Sequence, residues 1–96
     1  MQEITPAEVG DRPLVDVREQ DEWDAGHAVG AVHIPMGEIA ERLAEVPDGA
    51  AIICRSGARS ARVVAYLEQQ GREAVNVAGG TAAWAADGRP MVGTVA

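Results

Sequence analysis

The stretch AIICRSGARSARVVAYLEQQG, residues 51–71, decides how this chain folds. It opens with a short apolar run ending in Cys54, the only cysteine, and a helical pattern follows almost at once. Val63, Val64 and Leu67 share one face of that helix and Gly71 ends it. A buried strand turning directly into a helix is the repeating unit of a parallel α/β sheet. Cys54 stands at the carboxyl end of the strand, the edge where ligands bind in open sheets of this class.

Between Cys54 and the helix lie Arg55, Ser56, Gly57 and Ala58. Gly57 lets the backbone curl so that successive N–H groups point at one place. Those donors, the positive end of the helix and the charges of Arg55 and Arg59 all favour an anion in the turn. A thiolate is such an anion. A thiol near pKa 8.5 is about 3% ionised at pH 7, whereas a drop of about two units, worth ~2.7 kcal/mol, makes it about three-quarters ionised. A few N–H bonds and a nearby cation supply that much. The local pattern thus fits a reactive thiol, with a buried structural cysteine as the competing reading.

Working outward, strands and helices alternate. TPAEV at 5–9 is a short helix start, with Thr5 as cap, Pro6 in the first turn and Glu8 closing a capping box. LVDV at 14–17 reads as a buried strand, EQDEWDAG at 19–26 as a short helix ended by Gly26, and AVHIP at 31–35 as a strand stopped by Pro35. Met36 to Val46 places Ile39, Leu43 and Val46 at helical spacing. After residue 71, EAVNVAGG supplies another strand and a glycine turn, and TAAWAADG a last helix. The rhythm predicts one α/β domain over residues 1–96, with a central, mostly parallel sheet of four to five strands covered by helices on both faces.

Composition narrows the function. Fifteen acidic against eight basic residues give a net charge of -7, which weighs against nucleic acid or an anionic membrane as partner. One cysteine excludes an internal disulfide, and His27 and His33 make no zinc-ligand spacing with it, so no metal is expected. There is no leader pattern near Met1 and no apolar run of about 18 residues, so a soluble, cytoplasmic chain is expected. With no Phe, the core must come from Val, Ile, Leu and Ala, and Trp23 and Trp84 are expected to fill core space.

Three motifs now become specific together. CRSGARS at 54–60 resembles the active-site loop of the rhodanese family, and DVREQDEWDAGHAVGAVHIP at 16–35 is similar to that family's upstream signature. GGTAAWAADGRP at 79–90 resembles its closing Gly-Gly, Trp and Gly-x-Pro pattern. The resemblance implies the three-layer α/β/α rhodanese fold and a thiosulfate sulfurtransferase activity without a cofactor. Cys54 would take the outer sulfur of a small anionic donor, become a persulfide, and pass the sulfur to a thiophilic acceptor such as cyanide, a thiol or a protein. The N–H groups from Arg55 through Ser60, with Gly57 and Ala58 between, would cradle the persulfide, while Arg55 and Arg59 would neutralise the donor. Charges beyond about 8 Å are largely screened at physiological salt, so two local arginines outweigh a distant net charge of opposite sign.

The same resemblance orders the alternatives. Cell-cycle dual-specificity phosphatases share the fold but carry a Cys-x5-Arg loop, and Cys54 to Arg59 is one residue shorter, so a phosphatase ranks below a sulfurtransferase. A non-enzymatic docking or sulfur-delivery module is the other alternative, and a monomer or weak dimer is expected. Asp16, Arg18 and His27 are supporting residues: a salt bridge or cap for the first two, a helix-end contact for His27. Ser60 either caps the helix or bonds the thiolate. Ser56 stands where thiosulfate-specific rhodaneses often have Lys, which leaves the donor open.

Overall fold

The computed structural model describes residues 1–95. In chain order its elements are β1 (Glu3–Ile4), β2 (Leu14–Asp16), α1 (Gln20–Ala25), β3 (Gly26–Ala28), β4 (Val32–His33), β5 (Ala50–Ile53), α2 (Ala58–Gln69), β6 (Ala74–Val77), α3 (Gly80–Ala86) and β7 (Met91–Gly93). Five strands form one sheet in the order β1-β6-β5-β2-β4, with every neighbouring pair parallel. β3 and β7 make a separate antiparallel pair.

The strand ending at Cys54 is the middle one, and its four residues are all buried. Two-residue periodicity splits its side chains between two cores. Ala50, Ile52 and Cys54 join Val63, Val64 and Leu67 of α2 on one face, whereas Ala51 and Ile53 join Val75, Val77 and Trp84 on the other. A near-continuous apolar strand is what a doubly covered parallel sheet requires. Burying each of Val64 and Leu67, both 0% exposed, is worth roughly 1.5–3 kcal/mol. The result is an α/β sandwich with α2 and α3 on opposite faces and the carboxyl ends of β2, β5 and β6 along one edge.

Several sequence expectations are corrected. Met36 to Val46 is not a helix but two single 3-10 turns, Met36–Glu38 and Leu43–Glu45. The apolar spacing was right about burial, since Ile39 and Val46 join the α2-side core, but three-residue turns satisfy it as well. The helix start at Thr5 is likewise one 3-10 turn, Pro6–Glu8, with the Glu8 carboxylate accepting the Thr5 N–H at 2.8 Å. Trp23 is not a core residue: it is half-buried and stacks on His27 and His33, with ring centroids 3.6 and 4.8 Å away. Trp84 is buried, and its indole N–H donates to the Pro90 carbonyl. Strands β1, β3 and β7 went unread in the sequence, because none of them stands in an apolar run like LVDV or AVHIP.

Among the described residues, no helix is long and apolar enough to cross a membrane.

Candidate active site

The sulfur of Cys54 occupies the place a capping side chain takes at a helix start. Gly57 is the N-cap of α2, in the left-handed conformation with φ +106°, and no side chain caps it. Its N–H instead donates to Cys54 Sγ at 3.1 Å. The sulfur thus sits at the positive end of α2, where N–H groups are unsatisfied within the helix. Cys54 is 1% exposed. Burial pushes its thiol up, but hydrogen bonds from Ser60, Gly57 and Ser56, backbone N–H groups of all three among them, more than offset this and leave it below the ordinary thiol value.

The loop's carbonyls point the other way because α3 takes them. Thr81 N–H donates to the Cys54 carbonyl at 2.8 Å and Ala82 N–H to the Arg55 carbonyl at 3.1 Å. This approach needs Gly80: a Cβ there would lie 2.2 Å from the Cys54 oxygen and 2.5 Å from the Arg55 oxygen. The Gly-Gly turn after β6 thus braces the cysteine loop from behind and leaves its N–H groups facing the sulfur.

Arg55, Ser56 and Ala58 are exposed on the loop, and Arg59 is half-buried behind them. Arg59 is not simply available to a donor, because its guanidinium holds both oxygens of Glu22 on α1, at 2.6 and 2.9 Å. That hydrogen bond draws the Glu22 carboxyl down to about 2. Arg59 is raised chiefly by the same bond, with a smaller contribution from the charge of Cys54. Its positive charge is therefore shared between a carboxylate and the sulfur.

Asp16 and Arg18 reach the same edge, since Asp16 on β2 sits in register with Ile53 on β5. They form a fully buried salt bridge, 0% exposed on both sides, with Nη2 to Oδ2 at 2.8 Å. Asp16 also accepts the Arg18 backbone N–H, and Arg18 Nη2 donates to the Gly26 carbonyl. These bonds brace the turn after β2 and the start of β3. His27 is tied to α1 by Nδ1 to the Trp23 carbonyl at 3.0 Å and by stacking on the Trp23 ring.

Ser60 lies inside α2 and does not cap it; its hydroxyl is 3.3 Å from Cys54 Sγ and 2.5 Å from Asn76 Oδ1.

A family model described as Rhodanese-like domain matches residues 3–87. The chain belongs to the rhodanese-like domain family. It is 43% identical over 89 residues to a protein named Sulfurtransferase from Allochromatium vinosum, covering 90% of this chain and 83% of that one. Among solved structures it resembles a rhodanese-related protein from Thermoplasma volcanium, with a TM-score of 0.88, 32% identity and coverage of 96% and 98%. It also resembles a rhodanese-like domain protein from Staphylococcus aureus, with a TM-score of 0.79, 39% identity and coverage of 88% and 91%.

Two residues of this rhodanese-like site went unread in the sequence. Glu22 carried a signal as the third residue after Glu19, whose backbone N–H its carboxylate accepts at 3.1 Å. Asn76 carried one as a polar residue inside the apolar strand AVNV, where a buried amide must find partners.

Proposed function

We propose that this rhodanese-like chain is a sulfurtransferase that works through a persulfide on Cys54. The observation that carries the reading is the Gly57 N–H aimed at a buried sulfur at the α2 N-terminus. Fixed dipoles there favour an anion without reorganisation.

The Cys54 thiolate attacks the outer sulfur of the donor. A bond forms between Sγ and that sulfur as the donor's own S–S bond breaks, and its electron pair leaves with the remainder, sulfite in the case of thiosulfate. The negative charge then resides on the outer sulfur of the persulfide, within reach of the loop donors. A nucleophilic acceptor attacks that outer sulfur, the bond to Sγ breaks, and the electron pair returns to Cys54 as thiolate. Cys54 is the only cysteine in the sequence, so release within one chain as an internal disulfide is closed and the acceptor must come from outside. Arg55 and the shared charge of Arg59 attract an anionic donor despite the acidic surface.

Turnover of thiosulfate and cyanide to thiocyanate tests the reading. Activity lost in Cys54→Ser supports it, and activity retained in that variant overturns it.

A further inference from the structure

Asn76 is fully buried on β6 and ties three segments together. Its Nδ2 donates to Glu3 Oε2 on β1 at 2.9 Å and to the Gly57 carbonyl at 3.1 Å. Both partners only accept, which fixes the amide with Oδ1 facing Ser60. A carbonyl oxygen has no hydrogen, so the 2.5 Å contact between Ser60 Oγ and Asn76 Oδ1 carries the serine's hydroxyl hydrogen. Ser60 Oγ is also 3.3 Å from Cys54 Sγ. One hydrogen cannot serve both. While it lies on Asn76, Ser60 turns a lone pair toward the sulfur, which suits a thiol S–H and not a thiolate.

We propose that Asn76 is a positioning residue: acting through Ser60, it withholds a hydroxyl hydrogen from the Cys54 sulfur and so keeps the thiolate a strong nucleophile. This rests on the sulfur-transfer reading. A thiolate loses one donor by the arrangement, and a less stabilised thiolate is the better nucleophile. In the persulfide the charge sits on the outer sulfur and Sγ is a neutral bridging atom that needs no hydrogen from Ser60. Asn76 therefore favours the loaded state over the empty anion. The charged groups on the elements around the sulfur are Arg55 in the loop, Arg59 on α2 with Glu22 and Glu19 at α1, the Asp16–Arg18 pair after β2, and Glu3 of β1 behind Asn76; the N–H groups of α3 go to the loop carbonyls instead.

The test is the pH profile of Cys54 alkylation by iodoacetamide in the wild type, Asn76→Ala, Ser60→Ala and the double variant. Asn76→Ala releases the hydroxyl to the sulfur, so the midpoint falls by about half a unit to one unit, giving ~3- to 10-fold more thiolate well below it. In the Ser60→Ala background the same change leaves the midpoint within about 0.3 unit. A rise in Asn76→Ala, which a merely loosened loop gives, or equal shifts in both backgrounds overturns the proposal. If Asn76→Ala does not fold, the side-chain carbonyl 13C resonance of Asn76 serves in the wild type. It titrates with Cys54 there and loses most of its amplitude in Ser60→Ala, and a flat wild-type signal overturns the proposal. Alkylation uses no sulfur donor, so a chain inactive with every donor sinks the sulfur-transfer reading separately.

Discussion

Arg59 on α2 grips Glu22 on α1 through two hydrogen bonds, 2.6 Å from Nη1 to Oε1 and 2.9 Å from Nη2 to Oε2, joining the helix after the cysteine to the segment after β2. A bidentate guanidinium pair of this kind carries both energy and geometry. The Arg59 hydrogen bond lowers Glu22 from 4.5 to about 2, against the opposing effect of burial. A carboxyl depressed in the folded state stabilises the fold above its unfolded value and loses that contribution as pH falls through the folded one. Urea unfolding of the wild type and Glu22→Gln across that window is expected to show a stability gap that is full above pH 4.5 and closes toward about pH 2. A gap that stays constant with pH would count against the pair.

Arg59→Ala is expected to raise the midpoint of the Cys54 alkylation profile, because it removes a cation that interacts with the sulfur. The rise is about half a unit, held down by the share of that charge that Glu22 already takes. Arg59→Lys keeps the charge but loses the fork and should fall between the two. An unchanged midpoint in Arg59→Ala means the arginine serves α1 alone.

Gly80→Ala places a methyl group 2.2 Å from the Cys54 carbonyl oxygen, against backbone with nowhere to move. We expect a loss of more than about 2 kcal/mol in urea unfolding, together with a Cys54 alkylation midpoint displaced toward an ordinary thiol. A variant with full stability and the wild-type profile would show that the α3 brace is dispensable.

Leu67→Ala removes a 0% exposed side chain from the core beneath α2 and is expected to cost about 2–5 kcal/mol. Val92→Ala, at a position 51% exposed on β7, should stay within about 0.5 kcal/mol. Denaturation of both variants checks the placement of the core, and similar losses would contradict it.

The cysteine turn was legible because Cys54, Gly57 and the apolar strand before it combine a period-two run, a turn residue and a helix start within a few positions. The five-stranded parallel sheet followed from the same alternation, except for β1, where Glu3 and Ile4 present a single buried apolar side chain. The β3–β7 pairing was hidden because Gly26 and Gly93 meet through backbone contact, which leaves no side-chain pattern. Trp23 was misread because its size suggests core, whereas His27 and His33, four and ten residues further along the chain, supply its stacking partners. Glu22 and Asn76 gain their meaning only from neighbours 37 and 16 residues away, Arg59 and Ser60, which sequence spacing does not bring together.

Intact-mass spectrometry after incubation with thiosulfate and with a persulfide donor tests the central claim most directly. The account predicts that the protein gains the mass of one sulfur atom, that cyanide removes it, and that Cys54→Ser gains nothing. A wild-type mass unchanged by either donor, or a Cys54→Ser variant that still takes up sulfur, would contradict it.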